Sequence, residues 1–389
     1  MTLLPRHYPG LVLAARPGLV PPRLEVVRSS PATRVTATGL VAEVGNDVLR
    51  DDFDRETGAY RGWLVEPFAT NHLPHGRDMG AGAWTRTGLT TVKDRAGADG
   101  VAGSGCRLRA DAADATVTQA LSLFSGERTF SVDILPLTVT GAVSITVDGG
   151  ATWTAVTSLL RAGRFTRVTL TTTAADPSVG IRLSAAGDSV VADFAQLEDG
   201  PHATSRIATG TGAVSRAPDR LTVRDLSDFW NAAEGALIVH CRPLAADLPA
   251  GAAVQTLVAV GDSSAATDAL LEVKREPDQG DRTGWAFGTS AGYGAGGGAT
   301  GTWNAAWHRI ALGWTAGESD PTAVMNGSLS RTALTGGGTV SAIAAETGVA
   351  LALGHQRREN AGRDFCGHIG LLLHYPRRLP DADLIEATQ

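Results

Sequence analysis

Five aromatic residues, Trp285, Tyr293, Trp303, Trp307 and Trp314, fall within 30 residues of one another, in and around a glycine-rich tract from Ser290 to Gly301. Exposed rings of this kind can stack on the apolar C–H faces of sugars. Trp303 and Tyr293 flank the glycines and lead the ligand candidates, with Trp307 beside them. Trp314 alternates with apolar neighbours and is expected in a core. The glycine-rich tract reads as a flexible loop; the alternative is a loop that lets a ligand approach the backbone.

Other chemistries find less support. Hydrolysis of a glycosidic bond needs two carboxylates about 5 to 9.5 Å apart. Asp51, Asp52, Asp54 and Glu56, or Glu272 and Glu276, could supply them, but nothing singles out a pair. The cluster Arg50 to Gly58, "RDDFDRETG", reads as a solvated, locally ion-paired loop. Asp52 and Asp54 are weak calcium candidates within it, because carboxylates at alternate positions can converge on a hard cation; no other cofactor is expected. There is no Gly-x-Ser-x-Gly elbow, no His-Glu-x-x-His and no P-loop. "TVDGGATW", Thr146 to Trp153, fits the Asp-box pattern of sialidases, in which the Asp caps a tight turn and the Trp packs beneath it. It occurs once, so a hairpin is expected there, not catalysis.

The elements that must position these residues are strands. Residues 128–137, 142–150, 164–174, 179–185 and 189–200 are short runs with period-two alternation or β-branched enrichment, divided by Gly, Asp and Pro. A second series follows at 234–244, 254–262, 268–276, 307–317, 322–330, 349–356 and 366–379, with one short helix expected after Pro380. The pattern predicts an all-β chain with two β-sandwich (jelly-roll) domains, residues 50–205 and 206–389. Residues 201–219 read as a linker or long edge crossing. Residues 1–49, with five prolines between Pro5 and Pro22, read as an irregular N-terminal arm for particle attachment or oligomerisation.

Composition bounds the partners. At 389 residues, 43% hydrophobic and 19% charged, with a formal net charge of −6, the chain suits two or three soluble domains and disfavours nucleic acid. No run approaches 18 apolar residues, and prolines and charges interrupt the start, so neither membrane insertion nor a signal peptide is expected. Cys106, Cys241 and Cys366 are far apart and odd in number, against a disulfide framework.

The stretch "FDRETGAYRGWLVEPFATN" resembles a signature of phage and prophage structural proteins. The matching positions are Asp54, Thr57, Gly58, Arg61, Gly62, Trp63, Leu64, Val65, Glu66, Thr70 and Asn71. Trp84 stands where such proteins open a carbohydrate-binding-module-like jelly roll, and "AQLEDGPHATS", Ala195 to Ser205, resembles its close. Phe165 occupies a place where a Trp is often found. The second half resembles a laminin-G or concanavalin-like domain, through "GTWNAAWHRIALGW", the Asn-Gly turn of "AVMNGSLS" and the final strand and helix. That likeness adds Trp84 and Asn326 to the carbohydrate-binding candidates.

The resemblance implies a non-enzymatic adhesin, a head spike or tail fibre of a virion or virion-like particle such as a phage or gene transfer agent. It would be made in the bacterial cytoplasm and carried on the particle surface. Its partners would be capsule or lipopolysaccharide of the recipient bacterium, capsid or tail proteins through the arm, and further copies of itself. The alternatives are a polysaccharide depolymerase and a structural decoration protein without a ligand. Burial of all of Trp63, Trp84, Tyr293, Trp303 and Trp307 would favour the last.

Overall fold

The computed structural model describes residues 7–244, 253–262, 271–277, 282–289, 292–299, 303–331, 333–334, 338–345, 348–356 and 363–389. Two β-sandwiches account for most of them. In the first, one five-stranded sheet runs in the order Thr166–Ala174, Gly126–Thr138, Ser189–Asp199, Gly105–Ala110, Leu89–Arg95. The facing sheet runs Thr154–Ala155, Val143–Thr146, Ser178–Leu183, Ala115–Ala120, Thr85–Thr87. Every pairing is antiparallel, and the inward positions of the alternating runs, among them Leu108, Val117, Phe130, Val132, Ile134, Ile145 and Ile181, form one buried core.

The Asp-box segment is the expected hairpin. Val143–Thr146 pairs with Thr154–Ala155, and Asp148 closes the turn by accepting from the Thr152 hydroxyl, the Thr152 amide at 3.0 Å and the Thr146 hydroxyl at 2.7 Å. Those bonds, led by the Thr152 hydroxyl, hold the Asp148 carboxyl down at about 2. Its chemistry is spent on the turn.

The second sandwich begins earlier in the chain than its strand pattern suggests. Its larger sheet runs Ser328–Arg331, Thr322–Met325, His308–Thr315, Glu234–Pro243, Gly367–Tyr375, Tyr60–Val65, Asp51–Phe53, and Leu11–Ala14 also pairs with Gly367–Tyr375. The opposing sheet runs Glu25–Val27, Arg220–Val223, Val349–Leu353, Gln255–Asp262, Leu271–Glu276, Arg282–Thr289, Gly292–Ala299. The N-terminal segment is therefore no free irregular arm among the described residues. Leu11, Leu13 and Leu24 enter the second core, and Ala32–Val35 with Val41–Val44 makes a further hairpin. Strands of three or four residues whose partners lie some 200 to 360 positions away leave no local signal. The boundaries at 50 and 205 shift for the same reason: the chain builds part of the second sandwich, makes the jelly roll, then returns.

Two further expectations change. The glycine-rich tract, read as a loop, contains strand Gly292–Ala299, paired with Arg282–Thr289. Glycine weakens a strand but keeps both ladder groups, and an edge position needs only one partner. Residues 201–219, read as a linker, contain strand Val214–Arg216 on Ala69–Asn71 and pack into the seam between the sandwiches.

That seam is held by buried charge. Arg50 donates to Glu66 Oε2 at 2.6 Å and to Asp219; Arg216 reaches Glu66 Oε2 at 2.6 Å, and Arg28 reaches Asp219 Oδ1 at 2.8 Å. Ser205 donates to Glu66 through both its amide and its hydroxyl, each at 2.6 Å. Burial alone would raise the Glu66 carboxyl, but Arg216 and Arg50 outweigh it and hold it well below the usual range. The supposedly solvated cluster at Arg50 is thus fully buried at its first residue. The stretch from Asp54 to Asn71, read from the contacts, is a joint: its Glu66 meets Ser205. Asn71 adds to it by bonding the carbonyls of Ala195 at 3.1 Å and Ile207 at 2.9 Å.

A C-terminal helix, Asp381–Thr388, lies on the outer face of the larger sheet, covering Ala236, Ile238, Ala311, Leu371 and Leu373 with Leu384 and Ala387. Among the described residues no helix is long and apolar enough to cross a membrane.

Candidate functional site

The C-terminal helix covers only one end of the sheet's outer face. Beyond Ala387 the face opens into a cleft of about 310 Å³, lined by Ala14, Ala15, Arg16, His240, Trp307, Arg309, Gly370, Leu371 and Ala387. The floor is a lateral row across four neighbouring strands, because Arg309 is in register with His240, His240 with Leu371, and Leu371 with Ala14. Register partners share a face, so these side chains emerge together.

Trp307 forms one wall. It is 40% exposed, the only exposed Trp among the eight; Trp153 is half-buried and the others are buried. Its ring crosses onto the backbone of Gly370, where a Cβ would sit only 2.9 Å from the ring. Any side chain at 370 would lift the Trp307 ring off the sheet. Arg309 and Arg16 are exposed, and neither has a carboxylate partner among the described residues. Burial, then the charge of Arg309, pushes His240 down to about 4, so it is neutral at pH 7. The cleft thus combines an aromatic face, two guanidinium donors, a neutral imidazole and a floor of small residues. Among the described residues no Asp or Glu lines it.

The other sequence candidates are placed elsewhere. Trp84 is a core residue of the jelly roll, with its indole N–H donated to the His75 carbonyl at 3.2 Å. Trp303 is buried in the second core, its ring centroid 4.6 Å from that of His308. Both are corrected from ligand to core residues: a large apolar ring near a strand gains more by burial than by exposure. Trp63 and Trp314 are likewise buried. Tyr293 lies in Gly292–Ala299, and its side chain is outside the described residues. Asn326 is exposed and begins an Asn-Gly hairpin turn, with φ of 48° followed by 79° at Gly327. Its Oδ1 accepts from the Arg309 amide at 2.9 Å, so Asn326 positions a residue of the cleft without lining it.

The calcium candidates are both committed. Asp52 is buried, accepting from the Val35 amide at 2.7 Å and pairing with His368 at 2.8 Å. Asp54 accepts from the Glu56 and Thr57 amides, each at 2.8 Å, and pairs with Arg61. No group of three or more potential metal ligands occurs among the described residues.

Sequence reading missed Arg16, which follows strand Leu11–Ala14, and His240 and Gly370, which lie in two further strands that meet only through pairing. Arg309 had a partial signal, as the basic residue after Trp307 and His308.

No protein-family model matches the chain, and no curated protein matches it. Solved structures overlap parts of it. The Ruminococcus gnavus IT-sialidase CBM40 bound to α2,3-sialyllactose is 18% identical, covering 41% of this chain and 84% of that one, with a TM-score of 0.32. Domain 4 of AbnA, a GH43 extracellular arabinanase from Geobacillus stearothermophilus in complex with arabinotriose, is 13% identical over 49% and 82% of the two chains, with a TM-score of 0.29. A heptameric SAP-like pentraxin from Limulus polyphemus is 11% identical over 40% and 69%, at 0.28. Overlaps of this extent assign neither a family nor an activity to this chain.

Proposed function

We infer that this chain is a non-enzymatic adhesin that binds a bacterial surface polysaccharide through the Trp307 cleft. The observation that carries the reading is the exposed Trp307 ring, held on Gly370 beside Arg16, Arg309 and His240. A pyranose could lay its C–H face on the indole while its hydroxyls take hydrogen bonds from the guanidiniums. The lining without carboxylates supports binding without hydrolysis, which would require an acid and a base or nucleophile flanking the bond. The likeness of the Asp54 to Asn71 signature to phage and prophage proteins supports a place on a virion or virion-like particle, as a head spike or tail fibre assembled inside a producing bacterium. Capsid or tail proteins would be its partners there. Exposed Tyr8, Leu19 and Val20 offer an apolar surface for that attachment. A shallow site of this kind binds weakly, so attachment would use several copies.

The test is calorimetric titration with capsular polysaccharide from candidate hosts, following reducing ends in the same samples, with and without EDTA. The expected result is binding, unaffected by EDTA, without new reducing ends. Trp307→Ala is expected to weaken binding by roughly 2- to 10-fold, the scale of a lost aromatic contact of about 0.5–1.5 kcal/mol. Trp84→Ala should lower stability instead. New reducing ends would make the protein a depolymerase, and binding indifferent to Trp307→Ala would remove this cleft from the reading.

A further inference from the structure

A second cleft, of about 350 Å³, lies in the seam between the sandwiches, away from Trp307. Its walls come from the Ala32–Val35 strand, the Asp51–Val65 hairpin, the start of strand Thr166–Ala174 and residues 203–206. Five arginines line it: Arg34, Arg55, Arg61, Arg167 and Arg206.

The carboxylates nearby do not match them. Arg55 and Arg206 share Asp133, Arg206 through a two-pronged contact at 2.9 Å on each arm. Arg61 pairs with Asp54. Arg34 and Arg167 have no carboxylate partner among the described residues. Arg34 donates to the Asp51 carbonyl at 2.8 Å, and Arg167 to the Thr204 carbonyl and to Ser131 Oγ at 2.8 Å. The Nε atoms of Arg34, Arg61 and Arg167 are buried with no acceptor among the described residues. Of the acids in the lining, Asp52 and Glu66 are consumed by His368 and by Arg50 with Arg216, and Glu56 is exposed at the rim. Burial, then repulsion by Arg206, brings Arg167 down to about 10, still charged at neutral pH. Phe165 adds an apolar wall, with the Arg55 guanidinium 5.8 Å from its ring centre.

With Arg55, Arg206 and Arg61 already paired, Arg34 and Arg167 are the two guanidiniums of this half-buried cleft that no carboxylate pairs among the described residues, and they favour an oxyanion, which takes charge-assisted hydrogen bonds in paired geometry. The volume is within the range of small-molecule sites. We propose that the seam cleft is a binding site for an oxyanion, a carboxylate or phosphate carried by a sugar-sized molecule or free in solution, with Arg34 and Arg167 as its principal contacts. Because Arg34 stands on the N-terminal hairpin and Arg167 on the jelly roll, the bound anion ties the two together.

The experiment titrates the full chain, at low salt, with sodium glucuronate, inorganic phosphate and neutral glucose, reading heat and melting temperature. Either anion should bind and raise the melting temperature, glucose should not, and salt should weaken the effect. Arg34→Gln and Arg167→Gln should each weaken binding by roughly tenfold or more. Trp307→Ala and the surface change Arg109→Gln should leave it unchanged, which separates this site from the Trp307 cleft. Glucuronate without phosphate binding would identify a sugar acid; phosphate without glucuronate would identify phosphate or a phosphate ester. Arg34→Gln is half-exposed and reads the site even if Arg167→Gln fails to fold. Binding of neither anion, or equal affinity in wild type and Arg34→Gln, overturns the proposal.

Discussion

Glu66→Ala is expected to destabilise the folded chain by about 3–5 kcal/mol, the cost of leaving buried cations without their partner. Glu66 is fully buried and receives Arg50, Arg216 and both donors of Ser205. Removing it leaves Arg216 without an ion-pair partner among the described residues and Arg50 with Asp219 alone there. Denaturant unfolding followed by tryptophan fluorescence measures the loss, and limited proteolysis should show faster cleavage within residues 201–219, which Glu66 anchors through Ser205. Arg224→Ala, which removes an exposed pair with Glu25, should change little. If Glu66→Ala proved no worse than Arg224→Ala, the seam would not be held by this network.

Acidification is expected to destabilise the protein in two stages. His374 is buried, stacked 4.4 Å from Trp230, with neither ring nitrogen hydrogen-bonded to any described residue. Burial lowers it from 6.5 to about 3. The unfolded chain therefore takes up a proton near pH 6.5 that the folded chain refuses until about pH 3. Stability is unaffected above 6.5 and falls as pH drops through that window, by about 1.4 kcal/mol per pH unit at most and on the order of 4 kcal/mol in all. His240, lowered to about 4, adds in the same direction. The second stage belongs to Glu66 and Asp133, which burial would raise but which arginines hold well below the usual range: Arg216 and Arg50 for Glu66, Arg206 and Arg55 for Asp133. Their stabilisation is present above the unfolded carboxylate values and is lost as pH falls below them. Urea titrations between pH 7.5 and 4.5 should show a slope that His374→Phe flattens; an unchanged slope would assign the first stage to other groups.

Much of the strand content is legible in the sequence. Runs such as Arg128 to Leu137 alternate at the period of a pleated strand, and burying that alternation is what makes a sandwich core, so the periodicity and the structure agree. The Asp-box hairpin, the burial of Trp314 and the terminal helix were legible because each depends on local turn chemistry or local pattern. The site was less so. Trp303 and Trp307 are four residues apart, and composition cannot say which ring is buried. Tertiary structure separates them: Trp303 points into the second core, whereas the Trp307 ring reaches a glycine 63 positions further along the chain, on a strand separated from the adjoining His308–Thr315 by Glu234–Pro243.

Local pattern is enough for an all-β chain, many of its longer alternating strands, the Asp-box and Asn-Gly turns, and the set of aromatic side chains from which a sugar-binding site could be drawn. These follow from periodicity and turn preferences within about ten residues. Packing in space adds that the N-terminal strands belong to the second sandwich, that the Asp54 to Asn71 stretch supplies Glu66 to an ion-paired joint, and that Arg16, His240, Trp307 and Arg309 share one cleft. The physical reason is range: register between strands hundreds of residues apart, and the desolvation of charges at a seam, depend on what faces each residue across space and have no signature along the chain.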